Sequence, residues 1–124
     1  MAHTPIDTMP PDILGDLEQI REAAGFIEAD TAGLTVDALF ADRRRRQAVE
    51  LNFVIIGAAV NRLQRRAPDA VARIGASNQW VELGNHLQHD YDRIDYPAVW
   101  FAVRESLPLL RAKIETLLRE AEGR

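Results

Sequence analysis

The chain has 124 residues, 47% of them hydrophobic, which allows one folded domain with a real core and excludes a disordered chain. It has no cysteine, which excludes a disulfide framework and a thiolate zinc site and fits a reducing, cytoplasmic setting. A formal net charge of -4 argues against holding long nucleic acid by bulk electrostatics and leaves room only for a local basic patch.

Residues 1–9 read as a loose lead-in broken by Pro5, without the basic and apolar regions of a signal peptide. No apolar run approaches the roughly 20 residues of a membrane helix, so no membrane partner is expected. From residue 10 to 122 the chain reads as one helical domain. Pro10-Pro11-Asp12 opens a helix, because proline is tolerated in a first turn. Ile13, Leu17, Ile20, Ala24 and Ile27 then recur at alternating spacings of four and three, one apolar stripe that ends near Gly33. Thr35 can cap a short helix carrying Leu39 and Phe40.

Asp42 starts a long helix to about Arg66, with Val49, Phe53, Ile56, Val60 and Leu63 inward. Gly57-Ala58-Ala59 sits in its middle, where glycine costs about 1 kcal/mol, so the close approach of another helix is expected there. Ala67-Pro68-Asp69 breaks this helix, and a short helical turn can follow over 68–76. Ser77 or Asn78 can cap the next helix, which carries Trp80, Leu83 and Leu87 inward. After a link at Asp92–Asp95, Asp95 caps a last helix with Pro97 in its first turn and a stripe of Val99, Val103, Leu107, Leu110, Ile114 and Leu117. Pro108 falls inside it, so a kink is expected between Arg104 and Pro108. Trp100 and Phe101 lie beside this stripe, and one of them facing outward would suit a dimer contact. These stripes predict an all-α, antiparallel four- to five-helix bundle.

The chemistry concentrates in Gly84-Asn85-His86-Leu87-Gln88-His89-Asp90-Tyr91, which holds two of the three histidines. His86 and His89 share a helical face and could hold a metal together with Asp90, but no further ligand set is visible, so no metal and no cofactor is expected. Asn85 lies four residues before His89, where it can orient the imidazole. Tyr91 can converge with His89 only where the helix loosens at Asp90-Tyr91. A histidine of ordinary acidity suits acid-base work on an RNA 2′-hydroxyl or a leaving oxygen, but a developing phosphorane charge needs a nearby cation. Arg43-Arg44-Arg45-Arg46 is the most basic stretch. It reads either as a solvated helix start or as a contact for RNA phosphates or an acidic partner.

Asn85-x-x-x-His89-x-Tyr91, followed by Ile94-Asp95 and a Trp100-containing helix ending in Leu107-Pro108-x-Leu110, resembles the HEPN superfamily. The likeness is closest to HepT-like toxins that pair with minimal nucleotidyltransferase antitoxins. Asp42-Arg43-Arg44, Gln47-Ala48-Val49, Asn52 and Ile55-Ile56-Gly57 resemble that family's second helix, so the likeness spans roughly residues 12–118. The resemblance implies a homodimeric all-α bundle, sites facing each other in the dimer cleft, and metal-independent RNA cleavage by an Arg-x4-His-x-Tyr motif. It also implies transfer of AMP to the motif tyrosine by the antitoxin. His89 and Tyr91 match the motif histidine and tyrosine, and Asn85 the polar residue after the arginine. The arginine's own position is Gly84, so the guanidinium expected at the scissile phosphate is missing and cleavage is expected to be impaired. His86, or an arginine from elsewhere, is left as a possible substitute. The alternative expectation is a non-catalytic HEPN module that binds a nucleotide or a nucleotidyltransferase in the same cleft.

Overall fold

The computed structural model describes residues 9–122, all helices and connections without a strand. The expected lead-in lies outside them except for Met9. Helix α1 spans Pro11–Thr31 with proline in its first turn. Every residue of its expected stripe is buried. Thr31 ends it by turning its hydroxyl back onto the Ile27 carbonyl at 2.8 Å, and Gly33, at φ +73°, reverses the chain. Helix α2 is the short Val36–Ala41, capped by Thr35, whose hydroxyl accepts from the Ala38 amide at 3.1 Å. Asp42 caps the long α3, Arg43–Arg66, in the same way.

Helix α4, Pro68–Ile74, is one short segment. Helix α5 spans Ser77–His89. Its start differs from the sequence expectation. Ala76, in the left-handed region at φ 49°, occupies the capping position and no side chain caps the helix. Ser77 and Asn78 instead accept hydrogen bonds from the Gln64 amide nitrogen at 3.1 and 2.8 Å, tying α5 to the end of α3.

Asp95 does cap α6, Tyr96–Phe101, accepting from the Ala98 amide at 3.1 Å. The expected disturbance before Pro108 takes the form of a π-helical turn over Ala102–Ser106, after which α7 runs Leu107–Ala121. Pro108 has no amide hydrogen and its ring crowds the carbonyl four residues back, so the wider turn accommodates it without ending the helix.

The long helices alternate in direction. Arg62 on α3 pairs with Asp16 on α1 at 2.9 Å, and Arg21 on α1 pairs with Glu115 on α7 at 3.5 Å. Arg111 on α7 pairs with Glu28 on α1. Asp16 is buried, and the guanidinium groups of Arg62 and Arg66 offset the cost of burying its charge. The stripes of α1, α3 and α6–α7 meet in one core around Phe53, Leu17, Ile20, Ile56, Leu63, Leu107 and Ile114. Packing of α5 on α3 adds Trp80 and Leu87 to that core, with the Trp80 ring stacked near Phe53 at 6.1 Å.

Candidate active site at the end of α5

The site is built on the crossing of α3 and α5. Gly57 and Gly84 face each other there. A Cβ built on Gly84 would lie 3.3 Å from the Gly57 Cα and 3.5 Å from the Phe53 carbonyl oxygen. One built on Gly57 would lie 2.8 Å from the Trp80 carbonyl oxygen, closer than real side chains pack. The mid-helix glycine of α3 is therefore explained by the approach of α5. The same geometry places Gly84 inside a helix–helix contact, where no guanidinium fits without separating the helices.

His89 lies five residues on, about 140° around the helix. Gly84 is accordingly buried and His89 exposed. The helix ends at His89, with Asp90 outside helical geometry at φ -120° and ψ 35°. This is the loosening the sequence required. Tyr91 then stands on the following turn with 75% of its surface exposed, while Ile94 packs back against the core. The Arg93 amide closes the turn onto the Asp90 carbonyl at 2.8 Å.

Asn85 is exposed, but no hydrogen bond joins it to His89 among the described residues. The orienting role expected of Asn85 thus has no contact behind it in this structure. His86 is half-buried and engaged internally. Its Nε2 accepts the Asp95 amide hydrogen at 3.0 Å, and its Nδ1 lies 3.6 Å from the Asp90 carboxylate. Among the described residues no group of three or more histidine, cysteine or acidic side chains is placed to hold a metal ion.

A run of arginines opens α3. Because α3 and α5 are antiparallel, the start of α3 lies at the same end of the bundle as His89. A chain of contacts leads there: Asp95 at His86, Tyr96 next to it with its ring 4.0 Å from Phe40, and the Phe40 carbonyl accepting from Arg46 at 2.8 Å. Arg45 pairs with the capping Asp42. Arg43 and Arg44 are exposed and make no hydrogen bond or ion pair among the described residues. One acid that the sequence reading passed over also lies on this helix. Glu50 is half-buried, with Oε2 buried and without a hydrogen-bond partner. Burial pushes its carboxyl above the ordinary value of 4.5, and Arg46, 3.8 Å away, pulls it part of the way back. A glutamate one turn after an arginine was visible in the sequence, but its burial was not.

The chain is thus an all-α bundle with His89 exposed at the end of α5 and Tyr91 exposed on the turn after it. The family model described as "Ribonuclease HepT-like" matches residues 16–117. The chain is also 30% identical over 104 residues to a probable ribonuclease HepT of Thermococcus cleftensis, covering 82% of this chain and 91% of that protein. This chain belongs to the HepT-like ribonuclease family. No solved structure matches it significantly.

Proposed function

We propose that the protein is the toxin of a HEPN/minimal-nucleotidyltransferase pair and cuts RNA without a metal. The observation that carries this reading is His89, exposed at the end of α5 and without a partner among the described residues, in a chain of the HepT-like ribonuclease family. In this reading the imidazole takes the proton from a ribose 2′-hydroxyl or gives one to the leaving oxygen. Asn85, on the same exposed face, contacts the RNA backbone. Tyr91 is the AMP acceptor, and its exposure on a turn suits entry into another enzyme's active site.

Gly84 leaves the motif without its own cation. The turn beside His89 is also acidic, with Asp90, Asp92 and Asp95, so a phosphate there needs a positive partner. Arg43 and Arg44, exposed at the same end of the bundle and without an ion pair among the described residues, supply it in this reading. His86 is a weaker candidate, because its Nε2 already accepts a hydrogen bond. The protein acts as a homodimer in the cytoplasm, with its two sites across one cleft.

The test is cleavage of a labelled single-stranded RNA by the wild-type chain and by His89→Ala. Cutting by the wild type that falls at least a hundredfold in His89→Ala, on the scale of lost general acid-base catalysis, supports the ribonuclease. Gly84 in the arginine's place favours a second reading, a non-catalytic module that holds a nucleotide or a nucleotidyltransferase. Tight RNA or nucleotide binding with no cutting would support it.

A further inference from the structure

Helix α6 is capped by half of a reciprocal motif. The Asp95 carboxylate accepts from the Ala98 amide at 3.1 Å, but the residue that would return the favour to the Asp95 amide is Ala98 itself, which has no acceptor. A glutamate or glutamine normally stands there. His86 takes that place from nine residues upstream, its Nε2 accepting the Asp95 amide hydrogen at 3.0 Å. A nitrogen that accepts carries no proton, so the ring is neutral with its hydrogen on Nδ1. The Asp90 carboxylate lies 3.6 Å from Nδ1. One imidazole thus bonds the Asp95 end of the turn at 90–95 that carries Tyr91 and lies beside its Asp90 end.

We propose that His86 is a positioning residue, clamping the Tyr91 turn between α5 and α6 through the Asp95 amide. The clamp also fixes the first residue of α6, because Tyr96 follows Asp95 and its ring lies tilted against Phe40, centroids 4.0 Å apart, beside the start of α3. His86 therefore holds the His89 end of α5 in register with the arginine-bearing start of α3. The effect on catalysis rests on the ribonuclease reading above; the clamp itself does not.

The test uses the full-length protein at about pH 8, above the ordinary histidine range, with His86→Gln and His86→Leu. Glutamine keeps an acceptor where Nε2 stands and leucine removes it. Nitrogen NMR of the wild type is expected to show His86 protonated on Nδ1. Hydrogen exchange at the Asp95 amide is expected to quicken roughly fivefold in His86→Leu, the scale of one hydrogen bond, and to stay within about twofold of wild type in His86→Gln. The RNA-cleavage kcat is expected to fall roughly tenfold in His86→Leu through misplacement, with KM little changed, and to recover in His86→Gln. A proton on Nε2, or unchanged Asp95 exchange in His86→Leu, overturns the clamp. Cleavage that is equal in all three proteins overturns its catalytic part. If none of them cuts RNA, the ribonuclease reading fails, while tautomer and exchange still decide the clamp.

Discussion

Glu50 and Tyr91 mark the two kinds of side chain at this end of the bundle, one held against the protein and one held away from it. The Glu50 carboxyl is raised by burial, with Arg46 opposing. A carboxyl raised in the folded state favours folding while protonated, and that contribution is lost as pH rises from the unfolded value through the folded one. At neutral pH its charge is therefore a burden. Glu50→Gln is expected to raise the melting temperature on the order of 2 °C at pH 7. The gain should vanish below the ordinary value of 4.5, where both proteins are neutral at this position; a gain that persists there would show another cause. Tyr91, 75% exposed, carries the opposite expectation. Co-expression with an active nucleotidyltransferase partner should add one adenylate to the intact mass, and Tyr91→Phe should abolish it. An adenylate that survives in Tyr91→Phe would place the acceptor elsewhere. The sequence disclosed these residues unevenly. The exposure of His89 follows from helical angle once Gly84 is known to face inward. The His86–Asp95 bond depends on the path of a turn that no periodicity encodes, and the spacing of Asn85 and His89 alone does not set a hydrogen bond between them.

The helices were legible because each stripe is long and regular, from Ile13 to Ile27, Val49 to Leu63 and Val99 to Leu117. Their ends were less so. Thr35, Asp42 and Asp95 cap as their chemistry suggests, but Ser77 and Asn78 were drawn away to Gln64, a partner from another helix. Pro108 marked where the last helix is disturbed, and the π-helical turn at Ala102–Ser106 is how. The motif comparison presented Gly84 as a lost arginine, while packing presents it as half of a glycine pair. Restoring Gly84→Arg is accordingly expected to cost about 3 kcal/mol or more, because its side chain must part α3 from α5. Thermal unfolding would measure this. A Gly84→Arg protein as stable as wild type would mean that the crossing yields easily, and the missing cation would again be the simpler account.

At the scale of the molecule, α6 and α7 expose apolar side chains. Phe101 and Leu109 are 62% and 66% exposed, and they border a groove of about 350 Å³ between α5 and the last helices. Of the aromatic pair that sequence reading set beside the last stripe, Phe101 is the outward one. Trp100 is half-buried under Arg104, whose guanidinium lies 4.6 Å from the ring centre. Such a face suits a second copy of the chain. Light scattering is expected to give a dimer, and Phe101→Glu to weaken it at least tenfold. A wild-type monomer at every concentration would remove the shared cleft. Among the described residues no helix is long and apolar enough to cross a membrane.

The central claim, that His89 cuts RNA with its cation borrowed from α3, meets its most direct test in one assay. Cleavage of a single-stranded RNA by the wild type, His89→Ala and the double variant Arg43→Ala/Arg44→Ala would be compared under identical salt. The account predicts cutting by the wild type, loss in His89→Ala, and at least a tenfold fall in the arginine double variant with its fold intact. Cutting that survives in His89→Ala, or no cutting by any of them, would contradict it.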